Sequence, residues 1–237
     1  MQKPIVIITG ASQGLGAALA REYARRAGGL IVTARHRAPL EALAKELEHF
    51  TPVIAIAGSV ADDDHAHAII ETARTTFGRI DILINNASTL GRSPLPPLEK
   101  LGPNTFNELM NVNVRAPLHL SQHALQLMRG TGSGTIVNIS SDAGVAAYAG
   151  WGGYGASKAA LEHLSRTLGE ELAGTKVRVI VIDPGNMNTQ MHRDAEPGVD
   201  LSDLPDPKTV APNIVRLIEV ADGNYSRFEA QAYAGVV

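Results

Sequence analysis

Thr9-Gly10-Ala11-Ser12-Gln13-Gly14-Leu15-Gly16 follows the apolar run Ile5-Val6-Ile7-Ile8 and leads at once into a helical pattern at residues 14–27. A strand, a glycine-rich turn and a helix in that order let the backbone approach a pyrophosphate closely. Glycine has no Cβ to obstruct the approach, and the helix N-terminus offers unpaired N–H groups at the positive end of its dipole. The same residues satisfy a second pattern. Gly10-Ala11-Ser12-Gln13-Gly14 reads as G-x-S-x-G, the turn that exposes the nucleophile of α/β-hydrolases, and Asp183 and His192 follow in hydrolase order. That turn normally caps an inner strand laid down after several others, whereas this one follows the first. The hydrolase reading also leaves Gly16, Tyr154 and Lys158 without a role, so the dinucleotide reading is the stronger.

Outward from the turn, short continuous β-branched runs recur at 4–9, 30–33, 52–57, 80–85, 134–140 and 176–182, with a last strand expected near 225–233. Continuous rather than alternating hydrophobicity marks strands buried on both faces. Helical patterns lie between them at 14–27, 38–49, 62–77, 103–129, 153–173 and 208–221. Asp62, Asp63 and Asp64 open the third of these and suit a helix N-terminus. The alternation predicts an α/β fold: a doubly wound parallel sheet of Rossmann type, about seven strands flanked by helices. No linker or repeat divides it, so residues 1–237 read as one domain. Two proline-bearing loops, Asn86 to about Gly102 and Asp183 to about Pro207, follow strands on the carboxyl edge, where open α/β sheets bind ligands.

The 237 residues are 44% hydrophobic and 19% charged, which excludes a disordered segment or a collagen-like fibre. With 21 basic and 24 acidic side chains the net charge is −3, so no cationic excess exists to neutralise phosphates and nucleic acid is not an expected partner. Cysteine is absent, excluding disulfides, thiolate metal ligands and cysteine nucleophiles. The run at 5–8 is too short for a signal-peptide core. The longest charge-free stretch, Ala143 to Ser157, is rich in Gly, Ala and polar residues, where a membrane helix needs about 20 mostly apolar ones. A soluble, cytoplasmic protein is expected. His119 and His123 share a helical face and His65-x-His67 forms another pair, but no third ligand accompanies either, so no metal is expected.

Tyr154 and Lys158 lie four residues apart at the start of a helix, one above the other on one face. Ser140 and Ser141 close a strand at the same edge of the sheet. A free tyrosine titrates near pH 10, too high for easy proton exchange at neutrality, and a nearby ammonium favours its phenolate. Such a phenol can act as general acid toward a carbonyl oxygen that accepts a hydride, or as base in reverse. A serine hydroxyl can hold that oxygen as charge develops.

Over nearly the whole chain the sequence resembles the short-chain dehydrogenases/reductases. The residues that carry the resemblance are Thr9-Gly10-x-x-x-Gly14-x-Gly16, Asn85-Asn86-Ala87, Asn113, Ser141, Tyr154-x-x-x-Lys158 and Pro184-Gly185-x-x-x-Thr189. It implies Tyr154 as acid/base, Lys158 as its partner on the nicotinamide ribose, and Ser141 as the catalytic serine. Asn113 resembles the family's helix-kinking asparagine, which anchors a proton-relay water. Cofactor contacts are implied for Gly10, Ser12, Gln13, Gly14, Leu15 and Gly16 in the turn, and for Ser59 and Val60 after the third strand. Asn86 and Ala87 follow the fourth strand, and Pro184, Gly185, Met187 and Thr189 cover the nicotinamide carboxamide. A non-catalytic dinucleotide sensor would need the turn but not Ser141, Tyr154 and Lys158. The expected activity is therefore hydride transfer between a nicotinamide cofactor and a small carbonyl or alcohol substrate. Val145, Tyr148, Trp151, Met187 and Met191 are expected to line its pocket.

The second strand ends in Thr33-Ala34-Arg35-His36-Arg37, and no acid stands between Glu22 and Glu41. An acid at this strand end accepts bonds from the ribose hydroxyls of NAD, whereas an arginine accommodates a 2′-phosphate, so Arg35 points to NADP(H). Ser12 can add a hydrogen bond; Gln13 occupies a position often basic in NADP-type relatives. Two further departures from the family pattern are Ser88, where a glycine is usual, and Ser59, in place of a frequent aspartate. The tail 230–237 lacks the family's Gly-Gly ending. A homodimer or homotetramer is expected through the helices near 103–129 and 153–173, using Ala116, Leu120, Ala124, Ala159, Leu161, Leu164 and Leu168.

Overall fold

In the computed structural model, which describes residues 2–233, the strands β1 (Ile5–Thr9), β2 (Gly29–Ala34), β3 (Val53–Ala57), β4 (Ile82–Asn85), β5 (Gly134–Ile139), β6 (Val177–Asp183) and β7 (Tyr225–Glu229) form one sheet. The order is β3-β2-β1-β4-β5-β6-β7 and every pairing is parallel. The central strand β1 is buried along its whole length and sets Ile7 opposite Ile31 of β2 and Leu83 of β4. Successive residues of β1 serve opposite faces. Val6 and Ile8 pack with α1 (Gly14–Ala24), α2 (Arg37–Leu47) and a C-terminal helix at Pro207–Val220, while Ile7 joins the core under α3 (Asp63–Phe77) and the helices that follow β4 and β5. Continuous hydrophobicity in the sequence thus becomes a three-layer α/β/α fold.

The long helical pattern at 103–129 is not one helix. It divides into α4 (Pro103–Met110), a π-helical turn at Asn111–Arg115, and α5 (Ala116–Thr131). In the turn, Ala116 N–H reaches back five residues to the Asn111 carbonyl. Pro117 has no N–H, so the Asn113 carbonyl lacks the donor an α-helix would place there. The remaining helices are α6 (Gly152–Glu171), α7 (Gln190–Ala195) and α8 (Pro207–Val220). The loop expected after β6 contains α7, which Thr189 caps by accepting the His192 N–H at 3.2 Å. Asp62 caps α3 as the sequence indicates, accepting from Asp64 and His65 at 3.0 and 3.4 Å.

The stripe expected to meet a second copy needs correction. Ala116, Leu120 and Ala124 lie in the core beneath α5, and Leu161 is buried too. Their small or apolar character serves the protein's own packing, and of the seven only Ala159 is exposed. After β7 the chain forms a single 3-10 turn at Ala230–Tyr233, and the remainder of the tail lies outside the described residues. Among the described residues no helix is long and apolar enough to cross a membrane.

Candidate active site

Adjacent central strands β1 and β4 send the chain to opposite sides of the sheet, and a crevice opens where their carboxyl ends diverge. The turn after β1 needs its glycines. Gly10 and Gly14 have φ of +67° and +54°, and a Cβ on Gly10 would stand 2.8 Å from the Ala87 Cα. A Cβ on Gly16 would stand 2.3 Å from the Gly10 carbonyl oxygen, so this glycine seats α1 on the turn and does not reach the cavity wall. The N-cap residue of α1, Gln13, makes no side-chain cap bond, and no acid stands in the first turn. The leading N–H groups of α1 are thereby left to a ligand, and an anion suits them.

A cavity of about 660 Å³ runs along this edge. At one end Ala34, Arg35 and His36 face Gly58, Ser59, Val60 and Ala61. His65 packs against Gly58 from outside the cavity wall: its Nε2 is 2.8 Å from Thr33 Oγ1, and a Cβ on Gly58 would meet its ring at 2.3 Å. Gly58 did not stand out in the sequence and His65 did so only as half of a histidine pair, because their contact exists only in the fold. Arg37 is held by Glu41 at 3.1 Å, whereas the exposed Arg35 borders the cavity. Ser12, Gln13, Gly14, Leu15, Asn86 and Ala87 line the middle, and Pro184, Gly185, Met187 and Thr189 line the far wall. The glycine cradle, the uncapped helix and the arginine fit a phosphorylated dinucleotide.

Ser141, Tyr154 and Lys158 meet at the inner end. Tyr154 and Lys158 rise from the first turns of α6 and are 8% and 2% exposed. Lys158 Nζ donates to the Ile139 carbonyl at 2.8 Å and lies 5.5 Å from the Tyr154 ring centroid. Burial pushes the Lys158 ammonium down to about 8, against the opposing pull of Asp183 and Glu162. Burial likewise pushes the Tyr154 phenol up to about 12, with Asp183 and Asp142 adding to the rise and bonds from Ser88 and Ser141 opposing it. Desolvation dominates the titration of the phenol.

The Ser141 hydroxyl donates to Asp142 Oδ1 at 3.0 Å and accepts the Ala143 N–H at 3.2 Å, while Tyr148 donates to Asp142 Oδ2 at 2.8 Å. Its neighbour Ser140, also on the cavity wall, donates to Glu162 at 2.6 Å. Asn113 is 1% exposed and is no part of the cavity wall. Its side chain instead clamps the loop after β4 to α6, donating to the Thr89 carbonyl at 2.9 Å and Ser157 Oγ at 3.0 Å. Trp151, Met187 and Met191 border the cavity as expected. Val145 is 73% exposed, and it and Tyr148 lie outside the wall, on the loop before α6. Sequence reasoning missed Asp142, Asn104, Asn107 and Glu108, which also line the cavity. No spacing singles them out, since α4 and the segment after β5 meet only in the fold. His119 and His123 approach to 2.9 Å between α3 and α5, away from this cavity.

Residues 4–200 match the short chain dehydrogenase family. An NADPH-dependent pterin aldehyde reductase from Arabidopsis thaliana is 33% identical over 186 residues, which cover 78% of this chain and 76% of that one. A short chain dehydrogenase from Salmonella enterica serovar Typhi is 28% identical and superimposes with a TM-score of 0.88, covering 97% and 96% of the two chains. A Shigella flexneri short chain dehydrogenase structure complexed with NADP is 26% identical with a TM-score of 0.88, covering 98% of each. The chain belongs to the short-chain dehydrogenase/reductase family and is an oxidoreductase, of a family that works with nicotinamide cofactors.

The depressed Lys158 value carries a stability consequence. Its folded pKa lies below the unfolded value of 10.5, so the unfolded state binds more protons between about pH 8 and 10.5 and stability rises with pH there. Below pH 8 the buried charge weighs against the fold. Lys158→Met should therefore gain most relative to wild type at pH 7, and lose that relative gain as pH rises to 10. Thermal unfolding of both proteins across this range checks it; a constant difference would contradict the assignment.

Proposed function

We propose that the protein reduces and oxidises a carbonyl/alcohol pair with NADP(H), with Tyr154 as general acid/base. One observation carries the reading: Ser141, Tyr154 and Lys158 converge at the inner end of a cavity whose other end holds the glycine turn and Arg35. When bound, NADP(H) supplies or takes the hydride. A phenol held near 12 is protonated at neutrality and so is in the acid form that carbonyl reduction needs. Its proton passes to the carbonyl oxygen as the adjacent carbon receives the hydride, and the phenolate left behind regains a proton from solvent. Ser141 turns its O–H from Asp142 onto that oxygen as charge develops. Lys158, pinned to Ile139 at 2.8 Å, holds positive charge beside the phenolate.

Cofactor choice rests on the end of β2, where Ala34 leaves space, no acid repels a 2′-phosphate and Arg35 borders the cavity. The relatives named for NADPH and solved with NADP support the same choice. The substrate side offers carboxylates at Glu108 and Asp142 and apolar surface at Leu90, Trp151 and Met191. The arginine and lysine of the lining, Arg35 and Lys158, belong to the cofactor end and the catalytic centre. Neutral or cationic carbonyl compounds suit this wall better than anionic ones.

Tyr154→Phe should keep the fold and NADPH affinity and lose turnover by several orders of magnitude. Near wild-type turnover of the Phe variant would refute the mechanism. Hydrogen bonds to charged groups contribute about 1.5–3 kcal/mol, so Arg35→Ala should weaken NADPH tenfold or more while NADH hardly changes. Equal losses for both cofactors would sink the assignment. In a panel of matched ketones differing only in charge, keto acids should show the lowest kcat/KM; a preference for the anionic member would reverse the reading of the wall.

A further inference from the structure

The fold regroups the histidine pairs that the sequence presents. His65 bonds to Thr33, its Nε2 2.8 Å from the Thr33 Oγ1. His67 instead faces α5, where its ring stands edge-on to His123 with centroids 5.9 Å apart. On α5, His119 and His123 lie one turn apart on one face, and their Nε2 atoms approach to 2.9 Å. The ring centroids of that pair are 4.5 Å apart and their planes cross at 67°. Both residues lie outside the cofactor cavity. We propose that His119 and His123 form a two-imidazole chelate for a divalent transition-metal ion of nickel or copper type, separate from the hydride-transfer chemistry.

Two distances together support a shared ion. At this nitrogen separation a straight N–H···N bond between imidazoles would hold the ring centroids about 5.2 Å apart. The observed 4.5 Å is shorter, so the rings bend toward a common side. Metal–imidazole bonds run about 2.0–2.1 Å, along the axis from ring centre to nitrogen. Two such bonds meeting at a right angle set the nitrogens about 2.9 Å and the centroids about 4.5 Å apart. Both observed separations match. A tetrahedral angle would need the nitrogens about 3.3 Å apart. The pair therefore suits adjacent positions of a square-planar or octahedral ion, the geometries that nitrogen ligands give copper and nickel.

The surroundings prepare the donors. Asp63 Oδ1, from α3, lies 3.2 Å from His119 Nδ1. A carboxylate there accepts the Nδ1 hydrogen and leaves the lone pair on Nε2, as outer partners of metal-bound histidines do. Arg115 holds the same carboxylate at 2.7 Å. His123 presents its own lone pair by carrying its hydrogen on Nδ1, the tautomer that a metal at Nε2 selects. A purely imidazole donor set disfavours magnesium and calcium, which take oxygen ligands. Among the described residues no third His, Cys, Asp or Glu completes a metal-holding group. The His119 side chain is 27% exposed, so water can fill the remaining positions.

The test is isothermal titration of the untagged full chain with NiCl2, and with MgCl2 for comparison. The proteins are wild type, His119→Ala, His123→Ala, His123→Gln and Asp63→Asn, each checked for fold by circular dichroism. Wild type should bind one nickel ion per chain with a midpoint in the micromolar range, and magnesium should not bind. Each histidine variant should lose at least tenfold in affinity, and Asp63→Asn, which keeps both ligands, should lose several-fold. Should the Ala variant at 123 fail to fold, the Gln variant reads the same loss with a polar side chain in place. Saturating nickel should raise the wild-type Tm by several degrees and leave the His123 variants unmoved. Wild type without one-to-one nickel binding overturns the proposal. Nickel affinity unchanged in the histidine variants places the ion elsewhere and overturns it equally, as does binding of magnesium with the same affinity.

Discussion

Thr9 Oγ1 accepts the backbone N–H groups of Asn86 and Ala87, each at 3.0 Å, and Asn86 returns its side-chain amide to the Thr9 carbonyl at 2.9 Å. These bonds join the ends of β1 and β4 at the point where the chain leaves in opposite directions. With the strand ends tied, the glycine turn lies so close to Ala87 that a Cβ on Gly10 would stand 2.8 Å from the Ala87 Cα. The crevice follows from that closeness. On one side lies the uncapped N-terminus of α1, and on the other the loop from β4 that carries Ser88 and Thr89 to the π-helical turn.

The catalytic end is built on a conflict between stability and chemistry. A protein gains from burying apolar groups and loses by burying charge. Here α6 carries a lysine and a tyrosine into a nearly dry site beside Asp183, and desolvation dominates the titration of both. The Ile139 carbonyl compensates the lysine in part. Such a site holds strong electrostatic interactions in reserve for a substrate, at a standing disadvantage to the fold.

Much of this was legible in the chain. The strand runs, the glycine turn and the cap at Asp62 are local signals whose physics acts within a few residues, and all seven strands were anticipated within a few residues of their observed bounds. The interruption at Asn111–Arg115 was signalled only through the resemblance of Asn113 to a helix-kinking asparagine; the apolar pattern itself read as one helix over 103–129. The duty of Ala116, Leu120, Ala124 and Leu161 was not signalled. A small or apolar helical residue reads the same whether it meets its own sheet or a second subunit.

The sequence by itself determined which chemistry is present: the order of strands and helices, the phosphate-cradling turn, an arginine without an acid at the end of β2, and a serine, a tyrosine and a lysine at one edge. These follow from residue type and spacing, which covalent geometry translates directly into local structure. Only the tertiary structure decided how those groups are tuned. Whether the phenol rises or falls, how a lysine charge is held in a buried site, and which arginine faces the cavity depend on neighbours far away along the chain. Desolvation and hydrogen-bond geometry act through space, and no spacing along the chain encodes them.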